Sequence, residues 1–196
     1  MKSIGLTMLA LAGCDATRIA PGQDDPNLDR SCGDPAMSAF PVADAHNIGW
    51  DPWSCGSGTC DISCPDQNAN SDFSADHHGN DLFAYFRAPI VAVTDGVIYR
   101  AGWYSSSSGN RIRLRDDCGW EYWYGHLDEI TVPEGATVHA GDLIGYMGST
   151  GTTSVHTHFN ISFDGDWFND VDPFDLLAAT SATACGGIPT TPGTTP

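Results

Sequence analysis

From residue 89 to residue 163 apolar side chains recur mostly at every second position, the period of strands with one buried face. Ile90-Val91-Ala92-Val93 runs into the Asp95-Gly96 turn and continues as Val97-Ile98-Tyr99. Arg111-Ile112-Arg113-Leu114-Arg115 alternates throughout, and Asp116-Asp117-Cys118-Gly119 turns it back. The return strand spans Trp120 to Leu127, with Tyr122, Tyr124 and His126 expected on one face. Glu134-Gly135 and Ala140-Gly141-Asp142 punctuate two more short strands, the second from Leu143 to Met147. No stretch carries a strong helical period, so the expected fold class is all-β.

The last strand of the series, His156 to Phe163, ends at Asp164-Gly165. Thr157, Phe159, Ile161 and Phe163 fall on one face, and His156, His158, Asn160 and Ser162 on the other. Its two imidazoles then lie roughly 7 Å apart along the strand. An alternating polar face turned to solvent has the same pattern, so the pair gains meaning only with partners. His77 and Asp81, four residues apart in His77-His78-Gly79-Asn80-Asp81, supply them. Gly79-Asn80 indicates a turn into a strand, and one nitrogen and one carboxylate oxygen converge there as a donor set that zinc accepts. His78 belongs to neither pattern and receives no role.

Composition adds constraints. A chain of 196 residues has room for one domain with a proper core. Its 25 acidic residues against 8 basic ones give a formal charge of −17, which excludes nucleic acid as a partner. Lys2 is followed by the apolar run Ile4 to Ala12, and the segment ends in Leu11-Ala12-Gly13-Cys14, which resembles a bacterial lipobox. That resemblance implies a signal peptide over 1–13 and membrane attachment through a lipidated Cys14. The protein is then an exported, membrane-anchored lipoprotein facing the periplasm or the cell exterior. Turn signals without apolar periodicity make 14–39 a tether, 40–178 the domain and 179–196 a polar tail. In an exported chain the remaining cysteines, Cys32, Cys55, Cys60, Cys64, Cys118 and Cys185, suggest three disulfides of open pairing that staple a loop-rich N-terminal segment. Structural zinc at Cys55, Cys60 and Cys64 is the weaker alternative, since those spacings are not paired CxxC.

HHGND-LFA, VTDGVIYRAG, YGHL, VPEGATVHAGDLIGYMGSTG and HTHF, in that order, resemble the M23 zinc endopeptidases, the lysostaphin-like and LytM-like enzymes of bacterial cell walls. The resemblance spans roughly residues 40 to 178. It implies an antiparallel barrel-sandwich hybrid, one Zn2+ per monomeric chain, and a peptidoglycan peptide substrate. His77, Asp81 and His158 take the positions of the metal ligands, while His126 and His156 take those that flank the attacking water. Thr157 stands where a leucine is usual, Asn160 where an acidic residue is common, and the hairpin 103–110 is rich in serine. HExxH is absent, so histidine is left to do the acid–base work. The function implied is hydrolysis of peptidoglycan cross-bridges, with glycine bridges and D-Ala–diaminopimelate links both open. The alternative is a non-catalytic M23-like lipoprotein that binds the wall or activates a hydrolase. A biotinyl or lipoyl carrier domain fails because the only lysine is Lys2.

Overall fold

The alternating segments pair into two antiparallel sheets. The computed structural model describes residues 33–48, 73–74, 76–166 and 169–181. The expected signal peptide, Cys14, most of the tether, the tail from 182 onward, and Cys32, Cys55, Cys60, Cys64 and Cys185 lie outside them. Of the strands, β1 is Asn47–Ile48, β2 Asn80–Phe83, β3 Pro89–Val91 and β4 Gly96–Ser105. Then come β5 Gly109–Arg115, β6 Trp120–Leu127, β7 Glu129–Ile130, β8 Thr137–Val138, β9 Leu143–Tyr146, β10 Thr157–Phe163 and β11 Asp170–Val171. The large sheet has the order β1-β2-β10-β6-β5-β4-β8, with β11 paired to β10, and the small one is β3-β9-β7.

The core forms where the two sheets contribute their apolar faces. Ile90 and Ile144 of the small sheet join Ile98, Ile112, Leu114, Tyr122, Tyr124, Phe159 and Ile161 of the large one, all fully buried. Each aliphatic or aromatic side chain so placed stabilises the fold by about 1.5–3 kcal/mol. The two core tyrosines also satisfy backbone groups. Tyr124 Oη accepts from the Val93 amide at 3.0 Å, and Tyr122 Oη donates to the Ala36 carbonyl at 2.9 Å. Burial holds both phenols well above their usual pKa.

The fold class is all-β as expected, and two details depart from the sequence reading. One α-helix is present, α1 over Phe174–Ser181. Asp172 Oδ1 accepts from the Phe174 amide at 3.0 Å, and Pro173 opens the first turn, so local capping starts a helix too short to show a period. The second concerns β6. Tyr122 and Tyr124 do face the core, but His126 does not share their face. Against β5 the register runs Asn110↔Leu127, then Ile112↔Tyr124, so three steps on β6 match two on β5. The extra residue is a β-bulge, and His126 takes a left-handed φ of 59°. Gly125 and His126 therefore both turn to the side opposite the core, and Leu127 returns to it fully buried.

Candidate metal centre and cleft

Three elements bring the expected donors together. His77 closes a tight turn with Ser74, exchanging backbone bonds of 2.8 and 3.2 Å. Asp81 lies on β2, and His158 on β10 is its direct cross-strand partner. Their contact atoms converge: His77 Nε2 to His158 Nδ1 is 3.1 Å, His158 Nδ1 to Asp81 Oδ1 is 3.1 Å, and His77 Nε2 to Asp81 Oδ1 is 3.3 Å. A tetrahedral ion with bonds of about 2.0–2.1 Å sets its ligand atoms roughly 3.3 Å apart, so this donor set fits one.

Hydrogen bonding settles which nitrogen His158 presents. Its Nε2–H donates to the His78 carbonyl at 3.0 Å, so Nδ1 is the nitrogen turned toward His77 and Asp81. The same carbonyl accepts from Asn160 Nδ2 at 2.9 Å, and His78 Nδ1 bonds Asp170 Oδ2 at 2.6 Å. His78, to which the sequence lent no role, thus orients a donor through its backbone. Gly79 makes room for this arrangement. It has φ +141°, and a Cβ there would lie 2.5 Å from the Phe159 carbonyl and 2.9 Å from the His158 ring.

His126 and His156 stand beside the three donors, with their ring centroids 4.5 Å apart. His126 Nδ1–H donates to the Thr150 carbonyl at 2.9 Å, and His156 Nδ1–H to the Ser154 carbonyl at 3.1 Å. Each ring thereby keeps Nε2 as its basic nitrogen. Burial, then the charge of His156, pushes the His126 pKa down to about 4, so the ring is neutral at neutral pH. For Asp81 burial acts upward, but hydrogen bonds to His158 and His77 outweigh it and hold the carboxyl well below the usual range. Thr157, which departs from the usual leucine, donates its hydroxyl to the Gly125 carbonyl at 3.1 Å and so supports the bulge from below.

All five expected residues line one open cleft of about 230 Å3. Arg111, Trp123 and Gly125 line it as well and were not expected there. No motif marked Arg111, since it reads as one of three alternating arginines. Cys118, at the turn between β5 and β6, is disulfide-bonded and therefore has no free thiol to act as a nucleophile.

An antiparallel β-protein with a two-histidine, one-aspartate cluster and two further histidines in one cleft has the layout of a metallopeptidase. Residues 75–171 match the model of peptidase family M23. The sequence is 38% identical over 123 residues to lysostaphin from Staphylococcus simulans, covering 60% of this chain and 25% of that protein. The solved catalytic domain of that antimicrobial peptidase superposes with a TM-score of 0.50 at 34% identity, covering 52% of this chain and 79% of the domain. Glycyl-glycine endopeptidase ALE-1 from Staphylococcus capitis is 40% identical over 103 residues, half of this chain and 28% of its own. Murein hydrolase activator NlpD from Escherichia coli (strain K12) is 35% identical over 100 residues, half of this chain and 26% of its own. The chain belongs to peptidase family M23. It spans about a quarter of the length of the curated relatives that it matches.

Proposed function

We propose that this protein is a zinc-dependent endopeptidase that hydrolyses peptide cross-bridges of bacterial peptidoglycan. The observation that carries the reading is the convergence of His77 Nε2, Asp81 Oδ1 and His158 Nδ1 within 3.3 Å of one another, beside two histidines with locked tautomers. His77, Asp81 and His158 are the residues to hold the metal. A bound zinc supplies a Lewis acid and an acidified water at neutral pH. His126 and His156 do the proton chemistry. With each Nδ1–H committed to a carbonyl, Nε2 takes a proton from the attacking water and later returns one to the leaving amine. The neutral state of His126 suits a proton acceptor.

Residues 40–178 form the catalytic unit in this reading, and a lipidated Cys14 holds it at a membrane facing the wall. The likeness to NlpD favours a second reading, a wall-bound activator without hydrolysis of its own. Retention of all five residues in one cleft speaks for the enzyme. Digestion of purified cell walls by the zinc-loaded full chain, with mass analysis of the released fragments, separates the two. New amino termini from the cross-bridges are expected. Intact cross-bridges in every wall type, with stimulation of a second hydrolase, would establish the activator instead.

A further inference from the structure

Arginine is scarce in this acidic chain, and the described arginines are almost all spoken for. Arg87 pairs with Asp128 and Glu129, Arg100 with Glu134, and Arg113 and Arg115 with Glu121. Arg111 differs. Among the described residues no carboxylate lies within ion-pair distance of it, yet it is only 8% exposed and lines the cleft that holds the metal-ligand cluster. Its guanidinium is held between two rings, 3.4 Å from the Tyr104 centroid and 4.3 Å from that of Trp123. Burial is the first cause that lowers its pKa; a hydrogen bond and the charge of Tyr104 oppose it, Arg113 assists it, and the more distant Glu121 opposes it.

An arginine stays protonated, so this is a fixed positive charge, stripped of most of its water and without an ion-paired carboxylate among the described residues. Tyr104 also meets the group through its hydroxyl, but aromatic faces that orient a guanidinium and tolerate its charge leave the rest of its forked N–H donors to be satisfied by something else. The complement of a planar, forked donor is a carboxylate, bound through two charge-assisted hydrogen bonds. The bulge places this fork and the basic nitrogen of His126 in the same cleft. A peptide lying there with its amide at the histidines presents its neighbouring atoms to Arg111.

We propose that Arg111 is a specificity-determining residue that takes a free carboxylate on the substrate residue adjoining the scissile amide. The inference rests on the endopeptidase reading above and deepens it. It selects one of the two cross-link types left open by the sequence. In a D-Ala–diaminopimelate link the carbon bonded to the scissile nitrogen bears a free carboxylate, whereas an oligoglycine bridge is uncharged along its length. The favoured substrate is therefore the carboxylate-bearing link, although the relatives include a glycyl-glycine endopeptidase.

The test compares three peptides with the purified, zinc-loaded full chain: a D-Ala–diaminopimelate cross-linked peptide, the same peptide with the adjoining carboxylate amidated, and pentaglycine. The wild-type kcat/KM for the free acid should exceed that for the amide by about 10–100-fold, the worth of a charge-assisted hydrogen bond. Arg111→Gln should bring that ratio to near one, and Arg111→Lys should leave an intermediate ratio. The wild-type comparison needs no variant, so a poorly folding Arg111→Gln does not decide the matter. A wild-type ratio near one, a preference for pentaglycine, or an unchanged ratio in folded Arg111→Gln overturns the proposal. If no peptide is cut, the endopeptidase reading fails, and calorimetric titration with the same acid and amide judges the carboxylate site alone. Tighter binding of the acid that Arg111→Gln abolishes upholds the site, and equal binding of both overturns it.

Discussion

The β5–β6 pair has two ends that use the same kinds of residue in opposite ways. Near the turn, Glu121 is fully buried and accepts from Arg113 Nε at 2.5 Å and Arg115 Nε at 2.8 Å, while Arg115 also reaches Asp164 at 3.4 Å. The buried Glu121 and the two arginines that flank it are thus paired within the chain. At the far end the register slips, His126 adopts a left-handed conformation, and Arg111 and the histidines face a cleft. A left-handed residue with a side chain costs of order 1–3 kcal/mol and persists only where its surroundings hold it. The closed end supplies cohesion and the open end carries strain and unmet donors. Function is read at the end where the accounts of hydrogen bonding and charge are left open.

The largest effects should come from the open end. His158→Ala leaves two protein donors, so both bound zinc and activity should fall sharply, as elemental analysis and peptide turnover will report. His156→Ala leaves His77, Asp81 and His158 in place. It should retain close to one zinc per chain, yet lose roughly 10²–10⁴-fold in turnover, the usual worth of a positioned acid or base. His126→Ala should follow His156→Ala. Were His156→Ala to lose its metal while His158→Ala kept it, the roles along β10 would be reversed.

The closed end should answer in stability. Glu121→Gln strips the counter-charge from two arginines whose side chains are 12% and 18% exposed. Removing one partner of such a buried group typically costs about 3–5 kcal/mol. Denaturant unfolding should show that loss, while zinc content at a temperature where the variant is folded stays as in the wild type. Loss of zinc from folded Glu121→Gln would mean that the two ends are one unit, and the contrast drawn between them would fail.

Much of this was legible in the sequence because strands declare themselves by period. The faces of β10 follow its alternation, with Phe159 and Ile161 fully buried opposite His158. His77, Asp81 and His158 fall within one cluster as their spacing and the family resemblance imply. What escaped has no periodic or compositional mark. The bulge is a property of how β5 and β6 are paired, and so the face of His126 was misassigned. The support that His78 gives to His158 runs through a carbonyl, which every residue has. Its ring partner, Asp170, lies 92 residues away. Helix α1 is eight residues long, too short for its period to stand out. Arg111 differs from Arg113 and Arg115 only in what its neighbours across the sheet offer.

A smaller effect sharpens the contrast by asking what a shifted histidine means. His46 and His126 are both pushed down to about 4, and for both burial is the first cause. For His126 the neighbouring His156 adds to the shift, whereas His46 stacks on Phe40 at 3.5 Å with no exposure. His46 Nδ1–H donates to the Asp44 carbonyl at 2.6 Å, and Nε2 accepts from Ser181 Oγ at 3.3 Å, both bonds of a neutral ring. The Asp44 bond and charge act upward on the His46 pKa without overcoming burial. Because the folded value lies below the unfolded one of about 6.5, the unfolded chain binds the extra proton between those pH values. Stability from the neutral ring is therefore complete above pH 6.5, declines as pH falls toward about 4, and is lost below it. The gap corresponds to about 3 kcal/mol at most. His46→Gln, which cannot titrate, should be less stable than the wild type at pH 7.5 but lose less stability between pH 6.5 and 4. Denaturant melts of both proteins across that range measure the difference, and metal content at pH 7.5 should be the same in each. Parallel stability curves would show that His46 is charged inside the fold, and its resemblance to His126 would then be only nominal.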